Sequence, residues 1–201
     1  MDKIDFKKQY KSLFAPRKKP HVVEVPSLQY LMIDGKGAPE SQTFQDALGA
    51  LYSMAYTIKF MLKSAGRTDF VVPPLEALWW ADDVRAFREN DRDEWQWTMM
   101  IMQPDQVTPA DLDRALDQLQ DKGKSSQAHD RLRLATLEER RAVQVMHVGP
   151  YDEEGPTIAS LHEFAGSAGY RLVGKHHEIY LSDPRRTAPE RLRTVLRHPV
   201  A

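Results

Sequence analysis

The chain contains no cysteine among its 201 residues. That absence excludes disulfides, zinc–thiolate sites and a thiol nucleophile together. An excess of charge is missing too: 28 Lys and Arg stand against 29 Asp and Glu, a formal net charge of -1. The molecule as a whole is therefore no polyanion binder. No apolar run approaches the roughly 20 residues of a membrane span. The start Met1-Asp2-Lys3-Ile4-Asp5 lacks the apolar core of a signal peptide. These absences predict a cytoplasmic protein with no membrane contact and no direct nucleic-acid binding. Local basic clusters, Lys7, Lys8, Lys11 and Arg17, Lys18, Lys19, read as a solvated flank. The G-x-S-x-G elbow, the P-loop, the dinucleotide fingerprint and H-E-x-x-H are all absent.

What is present has a repeating order. Tyr30 to Asp34 reads as a strand stopped by Gly35-Lys36-Gly37, and a long helix is predicted from Ser41, a candidate N-cap, to Ala65. Phe44, Leu48, Leu51, Ala55, Ile58 and Leu62 recur at three- and four-residue spacing and mark its core stripe. Leu75 to Trp80 is an apolar strand interrupted by Glu76; Asp82 to Glu94 is a charged connection; Trp95 to Gln103 is a further strand. Thr108-Pro109-Ala110-Asp111 is a helix start with a cap, a proline and an acid in order. After the linker Lys122 to Gln127 come strands at Arg131 to Thr136 and Ala142 to Val148 and a helix from Pro156 to Ala168. A strand over Tyr170 to Leu181 and a closing strand over Thr194 to Arg197 follow. Strand, helix, strand, strand thus occurs twice, which predicts an internal duplication. The expected fold is α+β: two pseudo-symmetric repeats forming antiparallel sheet, helices on one side and a central groove. A single domain over 1–201 is expected, with repeat one at about 20–105, a connecting helix at about 108–121 and repeat two at about 130–201.

The chemistry concentrates in few places. Alternation puts His176, Glu178 and Tyr180 on one strand face and His177, Ile179 and Leu181 on the other. A carboxylate lining a cavity needs a cation, a hydrogen-bond network or a catalytic task to offset its burial. Trp79, Trp80, Trp95 and Trp97 lie on the first half's paired strands, with Tyr52 and Tyr56 on the adjacent helix. Some of these rings fill the core, and others are expected to line a groove for a flat, partly cationic guest. His147-Val148-Gly149-Pro150-Tyr151 is a tight turn before a helix, with Tyr151 a candidate for the pocket rim. His176, Glu178 and His147 do not have a spacing that demands zinc, so neither a metal nor a cofactor is expected.

The duplicated unit, the His-x-Gly-Pro-Tyr turn and the glutamate-bearing strand resemble the GyrI-like small-molecule-binding domain. The most specific pieces are Pro74-Leu75-Glu76-Ala77-Leu78-Trp79-Trp80 and the run from Lys175 through His177-Glu178-Ile179-Tyr180 to Thr187. They look like the stand-alone branch of that family, and the absence of a preceding helix-turn-helix disfavours a DNA-binding regulator. The resemblance implies a groove for planar aromatic or cationic compounds, with Glu178 at the family's pocket glutamate. It also implies, for part of the stand-alone branch, hydrolysis of cyclopropanoid DNA-alkylating electrophiles in an aromatic cage. On that reading Glu178 and Tyr56 are the catalytic candidates. Trp80, Trp97, Tyr180, Tyr151, Glu76, His147 and Tyr52 are the ligand-binding ones. The alternative is a non-catalytic binder or sensor of amphipathic cations, with Glu178 as counter-charge. Either is expected as a monomer or homodimer.

Overall fold

A computed structural model describes residues 3–83, 85, 89 and 91–201. The charged connection Asp82 to Glu94 lies partly outside the described residues. The chain is α+β, and its residues sort into two compact units.

The first unit holds Leu28–Pro73 and Trp79–Leu137, with the first residues through Phe6. Its strands are β2 (Leu28–Lys36), the end of β3 (Glu76–Trp80), β4 (Gln96–Met102) and β5 (Arg133–Leu137), in the order β3-β4-β2-β5. β2 is antiparallel to both β4 and β5, with Tyr30 opposite Met102 on one side and Ala135 on the other. The 23-residue helix Gln42–Ser64 packs on β2 and β4. It starts where it does because the Ser41 side chain accepts a hydrogen bond from the Phe44 N–H at 3.3 Å, satisfying one of the helix's orphan donors. The predicted stripe is buried at Phe44, Leu51, Ala55, Ile58 and Leu62. The helix Pro109–Asp121 opens on the predicted cap: Asp111 accepts from both the backbone and the hydroxyl of Thr108. Asp111 also takes Arg67 and Arg114, each at 2.5 Å. Those cations and the Thr108 donors hold its carboxyl below the usual range against the opposing effect of burial.

Trp97 fixes the centre of this unit. Its ring is fully buried, its indole N–H donates to the Gly37 carbonyl at 3.1 Å, and Phe44 meets it edge-on at 5.1 Å. Gly35 on the facing strand is what makes room, since a Cβ there would lie 2.1 Å from the ring.

The second unit holds Lys7–Ser27, Pro74–Leu78 and Glu138–Ala201. Its strands are β1 (His21–Val25), β6 (Arg140–Val148), β7 (His176–Tyr180), β8 (Arg193–Pro199) and the start of β3, in the order β1-β6-β8-β7-β3. β8 is antiparallel to β6 and β7, which sets Glu178 opposite Leu196 and Tyr180 opposite Thr194. The helix Gly155–Ser167 lies on β6, and Val143, Val145, Leu161, Ala165, Leu196 and Val200 form the core between them. β6, helix, β7 and β8 therefore repeat the order of β2, helix, β3 and β4.

The basic clusters are solvated as expected, and the apolar residues between them dock: Lys11–Phe14 is a short helix, Leu13 and Phe14 are buried, and Arg197 donates to the Leu13 carbonyl. Two expectations need correction. The strand predicted over Tyr170 to Leu181 shortens to His176–Tyr180, because Gly174 takes a positive φ of 68° and Leu172 makes only an isolated bridge to Val200. His129–Arg131 forms a turn of 3-10 helix, so β5 begins at Arg133 rather than Arg131.

Candidate active site

Strand β7 has the alternation that the sequence demanded. His176, Glu178 and Tyr180 are half-buried on one face, while His177 and Ile179 are buried on the other. Each face organises a different constellation of charge.

On the half-buried face the Tyr180 hydroxyl donates to Glu178 Oε2 at 2.6 Å, and His176 Nε2 lies 3.3 Å from Glu178 Oε1. Glu178 keeps 14 % of its side chain exposed, enough to be reached from solvent. Tyr151, 38 % exposed, meets the Tyr180 ring edge-on with centroids 5.6 Å apart. Glu154, only 4 % exposed, completes the group. Burial, and next the negative charge of Glu178, push its carboxyl up to about 9. Glu154 is therefore a neutral acid at pH 7, poised beside a second carboxyl group. A carboxyl that keeps its proton next to a second carboxyl is a usual basis for dividing donor and acceptor roles.

His176 also joins a cluster of imidazoles. The rings of His162 and His198 meet edge-on at 5.3 Å, and those of His176 and His198 lie 6.1 Å apart. Burial, reinforced by the neighbouring imidazoles, depresses His198 to about 3 and lowers His162 as well.

The buried face carries a relay. His177 donates from Nε2 to Glu76 at 2.9 Å and from Nδ1 to Glu139 at 3.0 Å. Arg197 donates to the other Glu139 oxygen and to Gln144 Oε1, each at 3.2 Å. Burial alone would neutralise these groups. The mutual attraction outweighs it, holding His177 up at about 9 and Glu139 down at about 2. The pairing is the compensation that buried charge requires.

The other predicted residues lie as follows. Glu76 is 1 % exposed and serves the relay. His147 is buried in its turn, within 2.9 Å of the Thr157 hydroxyl and 3.2 Å of the Pro150 carbonyl. Gly149, at φ 147°, lets that turn close, and a Cβ there would come within 3.2 Å of the His147 ring. In the first unit Trp97 is core and Trp80 is half-buried at the end of β3. Tyr52 is half-buried on its helix, while Tyr56 is 46 % exposed and stacks on Phe60. Trp79 lies between Phe44, stacked at 6.0 Å, and Trp95, edge-on at 5.9 Å. Glu154, Glu139 and the His162–His198 pair were not legible beforehand. The run Asp152-Glu153-Glu154 offers three carboxylates, and nothing in it says which one turns inward.

A profile of the GyrI-like small molecule binding domain matches residues 18–201. The chain belongs to the GyrI-like family. Two solved Listeria innocua proteins are similar over nearly the whole chain. One is an uncharacterized conserved protein, 44% identical with a TM-score of 0.93, covering 99% of this chain and 100% of its own. The other is a hydrolase, also 44% identical, with a TM-score of 0.88 and the same coverage. The C-terminal domain of EcmrR shares the GyrI-like fold at 12% identity, with a TM-score of 0.57 over 91% of this chain and 97% of its own. Comparison with curated proteins found no match. No described helix is long and apolar enough to cross a membrane.

Proposed function

We propose that this GyrI-like protein is a hydrolase that adds water to the strained ring of cyclopropanoid DNA-alkylating compounds or similar xenobiotic electrophiles. The observation that carries this reading is the carboxyl pair: reachable Glu178, fixed by the Tyr180 hydroxyl, beside Glu154, which holds its proton at pH 7. Similarity to a hydrolase at 44% identity supports the reaction class. The cyclopropanoid substrate is supported by the resemblance to the stand-alone branch.

Ring opening needs little from the protein beyond position, because strain relief and formation of an aromatic phenol drive it. The oxygen of water bonds to a cyclopropane carbon while its proton passes to Glu178. The ring C–C bond breaks, and its electron pair flows into the conjugated dienone, which becomes a phenolate. Glu154 supplies a proton to the phenolate oxygen, and exchange between the two carboxyl groups restores the starting state. General acid and base groups placed in this way contribute roughly 10²–10⁴-fold each. Holding water and guest in attack geometry contributes the rest. Tyr180 orients Glu178, and Tyr151 offers a ring for the flat guest to lie against.

The second reading, a binder of planar cations, draws on the same carboxylate and the Tyr151–Tyr180 ring pair. Incubation with cyclopropanoid electrophiles and planar cations separates the two. Product heavier by one water, read by mass spectrometry, supports hydrolysis. Tryptophan quenching without any turned-over product supports the binder and refutes the hydrolase.

A further inference from the structure

We propose that His162, His176 and His198 form a binding site for a divalent transition metal, with zinc the best-matched ion. They come from three elements that the fold brings together: the helix Gly155–Ser167, β7 and β8. One ring nitrogen from each lies within 4.8 Å of the other two. His162 Nε2, both nitrogens of His176 and His198 Nδ1 are shielded from solvent and have no hydrogen-bond partner. Buried ring nitrogens are ordinarily satisfied by protein or water. One such nitrogen from each ring, three at one spot, calls for a ligand that takes lone pairs.

An ion fits that demand better than a packing explanation. Zinc binds imidazole nitrogen at about 2.0–2.1 Å in tetrahedral geometry, which sets ligand nitrogens about 3.3 Å apart. The three histidines need close by no more than about 1.5 Å to reach that spacing, a movement that side-chain rotation supplies. Three imidazoles also leave the fourth position to water or an exogenous group, as open zinc sites do. Ligating histidines typically present their other ring nitrogen to a carboxylate. With His176 Nδ1 on the ion, its Nε2 faces Glu178 Oε1 at 3.3 Å in that place. Zinc needs no thiolate here, so the lack of cysteine is no obstacle. The proposal does not depend on the hydrolase reading, since binding is measured without substrate.

The test uses the full-length, tag-free protein stripped with EDTA. Calorimetric titration with Zn²⁺ should give one equivalent per chain, and Co²⁺ should produce the visible bands of a four-coordinate site. H162Q and H198Q should each weaken Zn²⁺ binding at least about tenfold. E178Q should weaken it by about 10–100-fold. Absence of a stoichiometric heat and of the Co²⁺ bands overturns the site, as does binding that both histidine variants leave unchanged. Should a variant fail to fold, the wild-type histidine ring resonances decide. Zinc must shift three of the seven, those of His162, His176 and His198, and a spectrum in which these three do not move refutes the proposal.

Discussion

Replacing Glu139 by glutamine removes one charge from the middle of the buried relay while nearly keeping its volume. Glu139 lies between His177 and Arg197, all three almost fully buried. Breaking a buried pair by deleting one partner costs about 3–5 kcal/mol, because the remaining charge is left uncompensated. The pH dependence is the sharper signature. His177 is held at about 9 in the folded chain, with Glu139 the foremost cause opposing burial. Its ordinary value is 6.5, so between pH 6.5 and 9 the native state keeps a proton that the unfolded chain releases. The stability His177 provides is complete below that window and is lost as pH rises through it. The loss amounts to about 3 kcal/mol over the 2.5 or so pH units. Glu139 behaves oppositely: its contribution is present above its ordinary 4.5 and is lost as pH falls toward about 2. Urea unfolding followed by tryptophan fluorescence at pH 6 to 9 reads the His177 effect, since the Glu139 window lies below pH 4.5. The variant should be about 3–5 kcal/mol less stable at pH 6 and should lose visibly less stability than wild type on going to pH 9. Parallel curves across that range would refute the assignment of His177 as a Glu139-stabilised cation.

Two further outcomes follow from single contacts. E154Q removes an acid whose folded value, about 9, lies far above its ordinary 4.5. Such a group destabilises increasingly as pH rises between those values, so the variant's advantage over wild type should grow by up to about 1.4 kcal/mol per pH unit from pH 5 to 8; an advantage that does not change with pH would contradict the buried-acid assignment. G35A drives a methyl group into the Trp97 ring, where the Cβ would stand 2.1 Å from ring carbon. Overpacking of this kind costs about 1–3 kcal/mol, and a melting temperature equal to wild type would show that the ring is not locked.

Much of the architecture was legible because the determinants are local. Ser41, Thr108 and Asp111 announce helix starts by chemistry that acts within one turn. The two-residue alternation in His176–Tyr180 fixes the faces of β7 without knowledge of any partner. Partner choice is another matter. β1 precedes β2 in the chain yet pairs with β6, and β5 precedes β6 yet pairs with β2. The order within each repeat does not encode that exchange. The candidate site divided along the same line. The sequence displays Glu178 and Tyr180 at two-residue spacing on one strand, so their contact was foreseeable. Glu154 and Thr194 are brought beside them from other elements, and Glu139 reaches His177 across 38 residues of chain. Glu76, which echoes Glu178 by position, turns inward to the relay instead. Its strand reads as apolar on both faces, and only the arrival of His177 decides how its carboxylate is satisfied.

The central claim is that Glu178 removes a proton from water during ring opening. Single-turnover hydrolysis of a cyclopropanoid electrophile by E178Q, with binding measured in parallel by tryptophan quenching, tests it most directly. The account predicts hydrolysis slowed by roughly 10²–10⁴-fold, with guest affinity changed far less. Hydrolysis by E178Q at the wild-type rate would contradict it.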